Sequence, residues 1–185
     1  KYVLVANWCS YTVSVISVDT QKVLKTIKIG RYPRGIAISN DSKLAYVAEM
    51  GGNRIHVINL EDFSVTYIPI GSNPRAIVLS PDNTKMYVTM NLSGKVASWD
   101  LVANMAGKSV RTGEAARSLA ISSDGSTMFV VNFKSNTMSK VRTSDMKVLE
   151  TIKACNEPIG ITYDTPTGNT WVACYKGQIK IYSNN

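Results

Sequence analysis

Short apolar runs alternate with polar turns along the whole chain, and they recur in a fixed order. The complete unit occupies residues 33–71. It opens with Pro33-Arg34-Gly35-Ile36-Ala37-Ile38 and passes a polar turn to Ala45-Tyr46-Val47-Ala48. A loop leads to Ile55-His56-Val57-Ile58, and after a second turn Val65-Thr66-Tyr67-Ile68 brings the unit to Gly71. The same order returns over 74–113 and 116–155. An incomplete copy covers 158–185, and residues 1–30 are a copy without its first run. The runs are short, rich in β-branched and aromatic residues and bounded by turn formers, so each predicts a strand. Val13-Ser14-Val15-Ile16 alternates apolar with polar, whereas Met86-Tyr87-Val88-Thr89 is apolar nearly throughout. That mixture predicts sheets stacked face to face with both surfaces of some strands covered. Apolar residues at helical spacing are absent.

The register follows from equivalent residues. The second-run valine stands at Val5, Val47, Val88, Val130 and Val172, in steps of 42, 41, 42 and 42, and the run-closing position at Gly30, Gly71, Gly113 and Cys155. A period in the low forties with four runs per copy is the signature of a β-propeller blade, a four-stranded antiparallel meander. Eighteen strands are expected, in copies of three, four, four, four and three. Asn40-Asp41-Ser42, Pro81-Asp82-Asn83 and Asp124-Gly125 supply the hairpin turn between the first two runs.

These features together, Pro33-Arg34-Gly35-Ile36-Ala37-Ile38, the Ser-x-Asp turn, Tyr46-Val47, Val57-Ile58 and the glycine ending, resemble the YVTN family of bacterial and archaeal β-propeller repeats. The resemblance spans the chain. It implies an all-β propeller that is part of a six- to eight-bladed whole, since the chain lacks an initiator Met and opens inside an apolar run. The alternative is a closed five-bladed ring in which the two incomplete copies pair, removing exposed edges. The chain is then one propeller segment over 1–185. The resemblance further implies an extracytoplasmic setting, in the periplasm or at the cell surface, and some members of the family bind nucleic acid.

Composition narrows the chemistry. The chain has 185 residues and a formal net charge of +8. No apolar stretch approaches the roughly 18 residues of a membrane helix. With one histidine, His56, and no CxxC, neither a zinc nor a haem site is expected, and no cofactor. The three cysteines, Cys9, Cys155 and Cys174, allow one pair and one free thiol. A five-bladed closure would bring Cys9 and Cys174 together, and inert small residues are the other reading.

An antiparallel meander places its loops at two ends, so charge can be assigned by end. The loops joining runs two and three, together with the links between copies, carry eight bases against three acids, and the opposite end four bases against eight acids. Such polarity steers anions, although hairpin turns by themselves demand aspartates. On the basic end Arg34, Arg75 and Arg117 share one repeat position, suited to bidentate binding of carboxylate or phosphate. Pairing with Glu114, Glu157 or loop carbonyls would instead make them structural. Beside them runs Trp8, Met50, Asn91, Phe133 and Tyr175, next to Asn7, Glu49, Met90, Asn132 and Cys174. Aromatics among bases form stacking platforms or seal gaps between blades. Tyr46, Tyr87, Phe129, Trp171 and Trp99 are expected in the core.

The candidate ligand-binding set is therefore Arg34, Arg75, Arg117, Asn7, Trp8, Glu49, Asn132, Phe133 and Tyr175, with no catalytic residue assigned. The expected role is a non-enzymatic binding or scaffolding propeller that engages an anionic ligand or protein, nucleic acid included, without a membrane span. The enzyme alternative, a lactonase-like or quinoprotein-like activity at the same face, would use Glu49 with Arg34 and Arg75. A cell-surface structural repeat is the third reading.

Overall fold

The computed structural model describes residues 1–71 and 73–183, and among them there are eighteen strands and no helix. In order they are β1 (Tyr2–Asn7), β2 (Thr12–Ser17), β3 (Val23–Lys28), β4 (Pro33–Ile38), β5 (Leu44–Glu49), β6 (Arg54–Asn59), β7 (Val65–Pro69), β8 (Pro74–Leu79) and β9 (Lys85–Met90). There follow β10 (Lys95–Asp100), β11 (Met105–Arg111), β12 (Ala116–Ile121), β13 (Thr127–Asn132), β14 (Thr137–Arg142), β15 (Lys147–Lys153), β16 (Pro158–Asp164), β17 (Asn169–Cys174) and β18 (Ile179–Tyr182). Each sheet is a meander in chain order: β1–β3, β4–β7, β8–β11, β12–β15 and β16–β18. The sheets have three, four, four, four and three strands, as the apolar pattern predicts.

The chain divides into two compact units, Lys1–Ile77 and a second from Val78 onward. In the first, Val13 and Val15 of β2 pack with Ala45 and Val47 of β5 and with Ile58 of β6, all fully buried. In the second, Phe129 and Val131 of β13 and Val172 of β17 form the core, and Phe129 stacks on Tyr163 at 5.8 Å. Burying such a side chain stabilises by about 1.5–3 kcal/mol. The second strands β5, β9 and β13 have their last five residues buried, whereas the fourth strands β7, β11 and β15 are mostly exposed. Near-continuous apolar sequence marks the strands covered on both faces, and mixed sequence marks the outer ones.

Two expectations are corrected. Tyr46, Tyr87 and Phe129 are buried, but Trp171 at the equivalent position is 38 % exposed. Phe129 is covered by Tyr163 of the following sheet, and no further sheet follows β16–β18 among the described residues. Cys174 pairs with Cys155, not with Cys9, which is a free, exposed thiol. Both partners are buried and joined in this bond, so neither is an inert filler.

The aspartates of the hairpin turns are turn residues in full. Ser39, Ser80 and Ser122 donate their hydroxyls to Asp41, Asp82 and Asp124, whose carboxylates also accept the backbone amides of Lys43, Thr84 and Ser126. These donors hold the Asp82 and Asp124 carboxyls down at about 2, first through the serine hydroxyl and then through the amide. The folded values lie below the ordinary aspartate range, so the stabilisation is present above about pH 4 and is lost as pH falls towards 2. Carboxyl carbon shifts followed by NMR should give midpoints near 2 for Asp82 and Asp124. Midpoints near 4 would show that the turns do not hold them.

Candidate functional site

The arginine column begins at a backbone irregularity. In β4 the register slips between Pro33 and Ile36, in β12 between Ala116 and Ser118, and in β16 between Pro158 and Gly160. The residue thrown out of pairing is Arg34 with Gly35, then Arg117, then Ile159. A β-bulge re-aims the side chain it carries. These arginines are thus released from the alternation that would otherwise fix which face they occupy.

In the first unit the Arg34 guanidinium lies 4.8 Å from the Trp8 ring centroid, with its Nε buried and without a hydrogen-bond partner. Trp8 packs on Tyr32 at 5.0 Å, and Tyr11 meets Tyr32 edge-on at 5.4 Å. Trp8 remains 41 % exposed. Arg75 directs Nη1 to the Met50 sulfur at 3.3 Å. In the second unit Arg117 sits 4.5 Å from the Phe133 ring, and Phe133 meets Tyr175 edge-on at 6.3 Å. Tyr175 is 65 % exposed. The two columns read from the sequence are in contact, though not in one register: Arg34 and Arg75 reach Trp8 and Met50 of the preceding copy, and Arg117 reaches Phe133 of its own. A cation over an aromatic face keeps its full charge and is held by about 0.5–2 kcal/mol.

Asn7, Glu49 and Asn132 are engaged differently. Asn7 donates to Thr12 Oγ1 at 3.1 Å and to Ser14 Oγ at 2.8 Å. Asn132, fully buried, donates to Thr137 and Ser139 and accepts from Thr112 at 2.9 Å. Glu49 places Oε2 2.8 Å from His56 Nε2 and 3.3 Å from Arg54 Nε, while Oε1 accepts the Arg31 amide at 3.1 Å. Each side chain ties the end of a second strand to the third strand beside it. Glu49 is thereby directed to His56, Arg54 and Arg31. Arg54 in turn stacks over Tyr67 at 5.0 Å.

The closing glycines explain the disulfide. A Cβ on Gly113 would fall 2.7 Å from Asn132 Cγ, and one on Gly30 would fall onto the Glu49 carboxylate. Glycine is needed at these two positions because the end of the next copy's second strand presses against it. Cys155 occupies the same repeat position, and Cys174 the position of Asn132 and Glu49. All three contacts span 19 residues. Where Gly30 and Gly113 stand against a polar side chain, the last contact is a covalent bond with its Cα atoms 6.0 Å apart. The recurring separation of 19 is the sequence signal for this pair.

Among the described residues no cluster of His, Cys, Asp or Glu is arranged to hold a metal ion, and no helix is long and apolar enough to cross a membrane. No protein-family model matches the chain. Antigen Lp49 of Leptospira interrogans serogroup Icterohaemorrhagiae serovar copenhageni is 33 % identical over 135 residues, which are 68 % of this chain and 29 % of that protein. Lactonase drp35 of Staphylococcus haemolyticus is 32 % identical over 91 residues, 44 % of this chain and 28 % of the lactonase. The matched parts thus make up less than a third of either relative's length. Among solved structures, hydrazine synthase of Kuenenia stuttgartiensis superposes with a TM-score of 0.80 at 18 % identity, over all of this chain and 63 % of that one. Virginiamycin B lyase from Staphylococcus aureus gives 0.79 at 14 % identity, over 98 % and 66 %. At such identities the likeness is one of fold, and with five antiparallel meanders of the described register it establishes that this chain is a β-propeller.

Proposed function

We propose that the chain belongs to an extracytoplasmic binding propeller of the YVTN kind, in which each unit engages an anionic partner through its own arginines and aromatics. The observation that carries this reading is the pairing of Arg34 with Trp8 and Arg117 with Phe133 beside exposed Tyr11 and Tyr175. A stacked guanidinium retains its charge for carboxylate or phosphate, and the neighbouring ring offers a face for stacking. The bulges at Arg34 and Arg117 support the same reading, because re-aimed side chains cluster at sites. An oxidising setting is favoured by the buried Cys155–Cys174 bond.

A second reading, hydrolysis of a lactone, draws on the name of the drp35 relative and on the Glu49–His56 contact of 2.8 Å. In it the carboxylate would orient the imidazole as a proton acceptor. One set of measurements separates the two. Under the binding reading, affinity for heparin or single-stranded DNA falls steeply as salt rises. Arg34→Gln and Arg117→Gln should each weaken it about tenfold, the worth of one charged hydrogen bond. A flat salt response would end the binding reading. Lactone turnover that disappears in Glu49→Gln would select the second.

A further inference from the structure

Two tyrosines at the basic end of the first unit hold a backbone conformation that suits them poorly. Tyr11 and Tyr32 stand at φ 60 and 58, in the left-handed region. The Tyr11 position is Gly94, Asn136 and Gly177 in later copies, all likewise at positive φ, and the Tyr32 position is Asn73, Ala115 and Glu157. The turn at Tyr11 is the same in each case: the carbonyl accepts the Ile29 amide at Tyr11, the Thr112 amide at Gly94 and the Ala154 amide at Asn136. Glycine and asparagine fit this backbone, and a bulky ring fits it least. Closing the turn therefore does not call for tyrosine, and strain kept at such a residue points to a role in function.

The two rings form one cluster with Trp8. Tyr11 touches Tyr32 edge-on, Trp8 packs on Tyr32, and the Arg34 guanidinium lies over Trp8. Trp8 and Tyr11 stay exposed, as does Arg31. No other copy carries aromatics at all three positions.

The composition around the cluster indicates what binds it. The loops 7–12, 30–34, 49–54 and 71–75 of this end carry four arginines, no lysine and one acid, Glu49, which already faces His56 and Arg54. Arginine, tryptophan, tyrosine and methionine are enriched, and lysine depleted, where two proteins meet. Tryptophan, tyrosine and arginine carry most of the binding energy there. A nucleic acid strand instead needs charge repeated along a track, and here two of the four arginines flank Tyr32 in one short link. We propose that the cluster docks an acidic protein segment. One apolar or aromatic side chain of the segment seats against Trp8 and Tyr11, and the carboxylates beside it are balanced by Arg31 and Arg34. The inference rests on the anionic-partner reading and assigns the class of partner for the first unit.

Biolayer interferometry of the intact chain against a random glutamate–tyrosine copolymer, poly-L-glutamate, heparin and single-stranded DNA tests this. The copolymer should bind about tenfold tighter than polyglutamate, and Trp8→Ala and Tyr11→Asn should each weaken the copolymer by about that factor. Tyr11→Asn puts the residue of Asn136 into the same turn, so it should melt no lower than the parent, and its lost binding is then not lost folding. Salt-dependent heparin binding, with a copolymer response unchanged in both variants, would overturn the docking site and leave the anionic-partner reading standing. Failure to bind any of the four polyanions would overturn both. DNA held more tightly than the copolymer, and weakened by the same two variants, would overturn the partner class. A lower melting temperature in Tyr11→Asn would show that the ring serves the fold instead.

Discussion

Breaking the Cys155–Cys174 bond is expected to lower the melting temperature by about 6–12 °C. A loop of 19 residues is near the size for which a cross-link stabilises by about 3 kcal/mol, and each kcal/mol moves Tm by about 2–4 °C at this chain length. The bond joins the closing position of one sheet to the second strand of the next, in the core beside Phe129 and Val172. Melting with and without reductant, in the parent chain and in Cys155→Ala/Cys174→Ala, measures the effect. The parent should lose stability on reduction, and the double variant should melt low under both conditions. Cys9→Ser should change nothing, because that thiol is exposed and unpaired. Thiol titration without denaturant should find one reactive group. Identical melting of the oxidised and reduced parent would show that the bond does not hold the sheets together.

The architecture was legible because a propeller blade repeats a physical requirement. Val47, Val88, Val130 and Val172 recur with the period of the sheet and are fully buried, whereas Val5 at the same position of the first copy is 40 % exposed. Periodicity reports which way a side chain faces, and it does not report whether another sheet stands there. Trp171 departs for that reason: its position is that of buried Phe129, but among the described residues the cover supplied to Phe129 by Tyr163 has no counterpart. The arginine and aromatic columns were legible as columns. Their contact was not, since the bulges at Arg34 and Arg117 leave no trace in the apolar pattern.

Asn7, Glu49 and Asn132 show what a column can hide. Read alone they look like polar groups offered to a ligand. Seven residues further on, the same copies carry Ser14, His56 and Ser139, and the copy with Met90 carries Ala97. Polar goes with polar and apolar with apolar, which is the mark of a side-chain contact between neighbouring strands. The hydrogen bonds from Asn7 to Ser14 and from Asn132 to Ser139, and the Glu49–His56 contact, are that contact.

Replacing Asn132 by methionine is therefore expected to destabilise the fold by about 3 kcal/mol, although methionine serves at the equivalent Met90. Asn132 is fully buried and takes part in bonds with Thr112, Thr137 and Ser139. Its loss strips partners from hydroxyls in a dry site, each costing about 1–3 kcal/mol when left unpaired. The other copies supply the remedy. Asn132→Met/Ser139→Ala reproduces the Met90–Ala97 pair, and Thr112→Ile introduces the residue found at Ile29 and Ile70. Stability should return in part with the second change and further with the third, so that the substitutions are strongly non-additive. Denaturant midpoints of the four proteins, at constant m-value, read this out. Additive losses would mean that Asn132 acts alone, which would return it to the list of groups facing a ligand.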